Sequence, residues 1–187
     1  MTRLFVFFLT TLVLCIAVIS LEAYLIKVKP SPYRSDKELG WILRDNFKFS
    51  YSQVDLYNQK YTSNFYTNKY GARFFLTNKF KNNSDKIKIL IAGDSFTADP
   101  YVGNDDMWFA EFAKQYSNFV KKNVEVVAFG GGAYGSLQQY LLLKKNKKFI
   151  DSFQPDFFIL QFCSNDFSNN YLLIEKKNNS ISQYMRR

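Results

Sequence analysis

Between residues 86 and 162 the chain alternates short apolar runs with longer stretches of helical spacing, and no other feature narrows the fold so far. Lys86-Ile87-Lys88-Ile89-Leu90-Ile91-Ala92 is β-rich and apolar, the composition of a buried strand. Met107 to Val120 sets apolar residues at Phe109, Phe112, Ala113, Tyr116 and Val120, a helical period. Val124-Glu125-Val126-Val127-Ala128-Phe129 reads as a second strand. Ser136 and Gln139 predict a capping box that opens a helix through Leu137, Tyr140 and Leu141. Pro155 then precedes a third strand over Phe157–Phe162. Strand, helix, strand, helix, strand predicts an α/β fold around a parallel sheet.

The N-terminal half divides in two. Residues 4–21 carry no charge and are flanked by Arg3 and Glu22, and continuation through Ala23–Ile26 reaches bilayer length. Residues 1–28 are therefore expected to be an N-terminal membrane anchor or signal segment, with an uncleaved transmembrane helix favoured. A signal peptide cut near Val18-Ile19-Ser20 is the competing reading. Leu12-Val13-Leu14-Cys15 is no lipoprotein box, because Leu14 is large where a small residue belongs. Arg3 argues for one orientation and Lys27, Lys29, Arg34 and Lys37 for the other, so charge leaves the sidedness open. Residues 29–85, rich in Tyr, Phe, Asn and Lys, are expected to form an irregular β-rich extension. It has short strands such as Phe47–Tyr51 and a closing loop at Asn82–Asp85. Residues 86–187 form the main domain.

Composition removes several function classes. A chain 47% hydrophobic and 19% aromatic is globular and not disordered. Its +9 charge comes largely from lysines scattered among asparagines, with no basic stripe interleaved with aromatics, so no nucleic-acid partner is expected. Cys15 lies inside the apolar run, so no disulfide to Cys163 is expected. There is no histidine in the 187 residues.

In open α/β sheets ligands bind beyond the carboxyl ends of the strands, where strand order reverses. Each expected strand ends in residues that a core would not choose: Gly93-Asp94-Ser95-Phe96-Thr97, Gly130-Gly131-Gly132-Ala133-Tyr134-Gly135 and Cys163-Ser164-Asn165-Asp166. If the strands are parallel, the three segments meet on one edge. A serine on a tight turn before a helix presents its hydroxyl to the crevice, near helical N–H groups that favour negative charge. A glycine-rich turn lets backbone N–H groups approach a substrate, and an asparagine can donate to a developing oxyanion. Serine plus two donors is an acyl-transfer set. The glycine run is not read as a dinucleotide fingerprint, because it follows the second strand and no acidic residue ends a strand about twenty residues on.

These residues resemble the SGNH/GDSL hydrolase superfamily. Gly93-Asp94-Ser95-Phe96 is similar to its G-D-S-[LF] block, and Ser164-Asn165-Asp166 to its G-x-N-D block, with Cys163 in place of the usual glycine. Leu39-Gly40-Trp41 and Asn68-Lys69-Tyr70-Gly71-Ala72-Arg73 resemble the segment that precedes the domain in exported or membrane-anchored members. The resemblance implies a flavodoxin-like three-layer α/β/α sandwich, incomplete here, behind the N-terminal transmembrane helix. It implies esterase or acyl-transfer chemistry with no metal and no cofactor. Ser95 would be the nucleophile, with the oxyanion hole formed by Asn165 and the backbone of Ala133, one step from Gly132. Ester substrates, possibly carbohydrate O-acyl groups, and an extracytoplasmic, periplasmic-side location follow from the same likeness. The family's D-x-x-H signature, which supplies the general base, has no counterpart in these residues. The expectation is thus a truncated, marginally stable hydrolase domain with little esterase activity. A non-catalytic, membrane-anchored binding protein is the alternative. The α/β-hydrolase pattern G-x-S-x-G is not met by Gly93-Asp94-Ser95-Phe96-Thr97.

Overall fold

The computed structural model describes residues 2–28, 30–54, 57–81 and 85–170. They fall into two compact units, Met1–Pro32 and Tyr33–Arg187. Helix α1 (Thr2–Val28) makes up most of the first. Its stretch Arg3–Leu25 has a mean hydropathy of 2.8 and is long and apolar enough to cross a membrane. Thr10 and Thr11 return their hydroxyls to the carbonyls of Val6 and Phe7 one turn back, which keeps polar side chains satisfied without water.

The second unit opens with two antiparallel hairpins. β1 (Tyr33–Asp36) pairs with β2 (Gly40–Leu43), and β3 (Lys48–Val54) with β4 (Lys60–Tyr66). The alternation expected near Phe47–Tyr51 thus becomes β3, whereas part of the closing loop, Asn82–Ser84, lies outside the described residues. β5 (Arg73–Leu76) and β6 (Ile87–Gly93) follow, then α2 (Ser95–Ala98) and a 3-10 turn at Asn104–Asp106. α3 (Trp108–Val120), β7 (Val124–Gly130), α4 (Ser136–Lys145), α5 (Lys147–Phe153) and β8 (Phe157–Leu160) complete the named elements. Residues 165–170 are helical.

The main sheet has the order β5-β7-β6-β8, with β6 parallel to both β7 and β8. Side chains alternate across it and build a layer on each face. Ile89, Ile91, Val126 and Ala128 meet Phe109, Ala110 and Ala113 of α3 on one side. Leu90, Val127 and Phe129 meet Leu142 of α4 and Phe153 of α5 on the other, together with Leu39 and Ile42 from the first hairpin. The result is an α/β/α sandwich whose chain reverses direction across β6. α3 carries it to one side and α4–α5 to the other. Beyond the expected strands, β5 joins β7 as an antiparallel edge. At the opposite edge β8 is apolar but open, with Phe157, Phe158 and Leu160 each about half exposed.

Arg73 is the polar centre of this unit. It is fully buried, and its guanidinium donates to carbonyl oxygens. Nη1 donates to the Asp99 carbonyl at 2.5 Å and Nη2 to the Val102 carbonyl at 2.6 Å. Nε and Nη2 share Asn104 Oδ1, at 3.1 and 2.9 Å. Asn104 in turn accepts from the Tyr66 N–H and donates to the carbonyls of Tyr66 and Phe74. The rings of Phe65 and Phe109 lie 4.9 and 5.7 Å from the guanidinium carbon. One side chain therefore ties β4, β5 and the segment after α2 together. Burial lowers its pKa to about 10, against the raising influence of Asp99.

Arg73→Leu conserves volume but strips these buried acceptors of their donor, and is expected to cost about 3 kcal/mol or more in urea unfolding. A loss below about 1 kcal/mol would contradict the role. Arg73→Lys should recover only part, because an ammonium lacks the fork that spans the acceptors. A second expectation concerns alkaline pH. Burial and the neighbouring Asp105 carboxylate raise Tyr66 from 10.0 to about 12. The folded state therefore holds this proton more tightly than the unfolded chain. Its contribution to stability is whole below pH 10 and is lost as the pH rises to about 12. Thermal melts across that window should fall more steeply for the native chain than for Tyr66→Phe, and parallel curves would exclude the effect.

Candidate functional site

Registration of the parallel strands decides what meets at the carboxyl edge of the sheet. Gly93 at the end of β6 is paired with Gly130 at the end of β7, and Ala92 with Leu160 at the end of β8. The Gln161 N–H extends that ladder to the Ala92 carbonyl at 2.8 Å. The segments that carry Ser95, Ala133 and Asn165 therefore leave the sheet side by side. The reversal of the chain lies between β6 and β8, so Ser95 and Asn165 flank it.

Ser95 is the first residue of α2 and is exposed. Asp94 is the N-cap: its carboxylate turns back to accept the Phe96 N–H at 2.9 Å, and so does not address the Ser95 hydroxyl. The turn is pressed onto β7. A methyl group on Gly130 would lie 2.9 Å from the Ala98 nitrogen and 3.0 Å from the Asp94 carbonyl oxygen, both backbone atoms. Trp108 from α3 adds a hydrogen bond of 3.1 Å from its indole N–H to the Phe96 carbonyl. Gln161, just beyond β8, accepts the Thr97 hydroxyl at 3.0 Å. Among the described residues no side chain is hydrogen-bonded to the Ser95 hydroxyl, so no base activates it there.

Ala133 lies in the glycine loop with φ +57°, a left-handed conformation that glycine adopts with less strain. Both of its neighbours are held by the first hairpin. The Trp41 indole donates to the Gly132 carbonyl at 2.9 Å, and the Tyr134 hydroxyl donates to the Trp41 carbonyl. Asn165 is half-buried at the start of the helical residues 165–170, and its neighbour Asp166 is fully buried. Asp166 Oδ2 accepts from the Ser136 hydroxyl at 2.8 Å and from Gln139 Nε2 at 3.2 Å. These two residues do not form the expected capping box. Gly135 is the N-cap, Gln138 Oε1 accepts its N–H at 3.3 Å, and Ser136 and Gln139 are free to anchor Asp166. The buried Asp94 and Asp166 each keep one carboxylate oxygen with no hydrogen-bond partner among the described residues. Burial and then these two carboxylates, Asp94 first, raise the Cys163 pKa and keep it a thiol.

The motifs in the sequence marked Ser95, Ala133 and Asn165, but not the residues that hold their segments. Gln161 is a polar interruption of the apolar run Phe157–Phe162, whereas Arg73 opens a short strand that the sequence does not announce. Trp41, 91 positions from its partner Gly132, left no local signal. Among the described residues there is no cluster of His, Cys, Asp and Glu able to hold a metal ion.

A family model described as GDSL-like Lipase/Acylhydrolase matches residues 89–187, more than half of the chain. Neither the comparison with curated proteins nor that with solved structures returned a match.

Two substitutions probe the local geometry in opposite directions. Ala133→Gly should raise stability by about 0.5–1 kcal/mol by relieving the left-handed backbone. Gly130→Ala should lower it by about 2 kcal/mol, because the methyl group meets backbone that cannot give way. Denaturant midpoints of both variants test the pair, and a destabilised Ala133→Gly would show that the loop is not held as described.

Proposed function

This chain belongs to the GDSL-like lipase/acylhydrolase family, and we propose that its sheet edge is built for acyl transfer from an ester through Ser95, once a base takes the serine proton. The observation that carries the reading is the register of β6, β7 and β8, which brings the serine turn, the glycine loop and the asparagine segment to one edge. In this mechanism Ser95 Oγ attacks the ester carbonyl carbon while a base takes its proton. The carbonyl π electrons move onto oxygen, and the Ala133 N–H and the Asn165 side-chain amide donate to that oxyanion. Collapse of the intermediate breaks the carbon–oxygen bond and releases the alcohol, which takes up a proton. Water then attacks the acyl-serine, releases the carboxylic acid and restores Ser95.

The 187 residues contain no histidine, and in this reading the described residues bind and orient the ester without offering Ser95 a hydrogen-bonded base. O-acyl groups on carbohydrate are the proposed substrate class. Phe96, 64% exposed beside the nucleophile, and Trp108, held to it, offer apolar faces on which a sugar ring stacks. Residues 1–28 are proposed as an uncleaved anchor, with the extension 29–85 and the hydrolase region 86–187 outside the cytoplasm. The length and hydropathy of α1 support a membrane-spanning segment, and the side proposed for the rest follows from the likeness to exported or membrane-anchored family members.

Imidazole added to the buffer can act as the base that the described residues do not offer. The chain alone should hydrolyse 4-nitrophenyl acetate little faster than buffer, and imidazole should raise that rate beyond its own solution catalysis. Ser95→Ala should abolish the increment, and Asn165→Ala should reduce it about a hundredfold. An increment that survives in Ser95→Ala would contradict the assignment and leave a non-catalytic binding role as the better reading.

A further inference from the structure

We propose that Trp41, on the first hairpin and outside the matched family region, is a positioning residue that aims the Ala133 N–H at the reacting oxygen. The proposal rests on the acyl-transfer reading above and extends it to a part of the chain with no motif of its own. Its basis is the identity of the peptide unit involved. The Trp41 indole N–H donates to the Gly132 carbonyl at 2.9 Å. That carbonyl and the Ala133 N–H belong to the same peptide group. A trans peptide is planar, with its C=O and N–H pointing in opposite directions. Fixing the oxygen from the hairpin side therefore fixes the direction of the hydrogen on the other side. The same bond polarises the amide, because an acceptor that is already hydrogen-bonded makes its own N–H a stronger donor.

The surrounding contacts make Trp41 a fixed point and not a loose cover. The buried Tyr134 returns its hydroxyl to the Trp41 carbonyl, so residues 41 and 132–134 are joined in both directions. The two rings lie 6.2 Å apart. The hairpin is itself fastened to the same layer: Gln138 Nε2 donates to the Leu39 carbonyl at 3.1 Å, and Lys145 pairs with Asp36. On the other strand of the hairpin, a methyl group on Gly132 would lie 3.4 Å from the Tyr33 hydroxyl, an ordinary van der Waals contact, so the loop rests against this strand as well. Ala133 needs such support, since its φ of +57° is one that an alanine does not hold by preference.

Trp41→Phe tests the proposal, because it removes the indole N–H and keeps an aromatic ring in contact with Tyr134. Two readouts separate positioning from mere stability. In imidazole-supported hydrolysis of 4-nitrophenyl acetate, kcat should fall about tenfold with KM unchanged and the melting temperature nearly so, since part of the donor's contribution is lost and the substrate contacts are not. In the full chain labelled with 15N-alanine, the Ala133 amide proton should move upfield, a measurement that needs no catalysis. An unmoved Ala133 amide, or a variant whose kcat equals the native value, would overturn the proposal while leaving Ser95 as nucleophile. A moved amide in a chain with no Ser95-dependent turnover would instead overturn the acyl-transfer reading, and with it any catalytic meaning of the contact.

Discussion

Arg73 is a cation buried away from the surface, and much of the second unit is arranged so that this is tolerable. Its donors are met by carbonyls of Asp99 and Val102 and by Asn104, and its faces by Phe65 and Phe109. A buried guanidinium is costly unless its hydrogen bonds are made. The segment after α2 must therefore curl around it, the 3-10 turn must present Asn104 to it, and the second hairpin must close over it. Asp99, whose carbonyl it holds, is also the residue whose N–H caps α2 on the Ser95 carbonyl. Satisfying one charge thus fixes the far end of the turn that carries the serine. The near end is fixed by Asp94 and Gly130.

The site is consequently built from two kinds of support. Sheet register aligns the three strand ends, and side chains from outside the parallel core lock what the register leaves loose. Arg73 from β5 and Trp41 from β2 both come from the stretch that precedes the regular α/β pattern. The stretch acts as a brace for the two loops that need one. The asparagine segment is held differently, from α4, through Ser136 and Gln139 on Asp166. In the proposed acyl transfer such contacts would hold the reacting groups within the narrow tolerance that the chemistry requires.

The parallel strands and α3 were legible in the sequence because each shows a simple pattern: mainly apolar runs, broken only by Lys88 and Glu125, for β6, β7 and β8, and a 3.6-residue stripe for α3. β5 was not, because Arg73-Phe74-Phe75-Leu76 is short and its antiparallel pairing with β7 is a long-range event. The Ser136–Gln139 spacing satisfies a capping box on paper. In the fold both side chains are drawn to the buried Asp166, and Gly135 with Gln138 caps the helix instead. The identity of Ser95, Ala133 and Asn165 as candidates came from motif and strand-end position. The left-handed backbone at Ala133 and the indole that faces it are tertiary facts, with nothing in the neighbouring sequence to announce them.

The central claim is that Ser95 is the nucleophilic atom of a site assembled at the strand ends. Reaction of the chain with a fluorophosphonate in imidazole buffer, followed by peptide mapping, reads this directly. Ser95 Oγ would displace fluoride from phosphorus, imidazole would take the proton, and the stable adduct would mark the residue. The account predicts a single modified serine at position 95, its labelling slowed by loss of Asn165. Labelling spread over several serines or tyrosines, or no adduct on the peptide that spans Ser95, would contradict it.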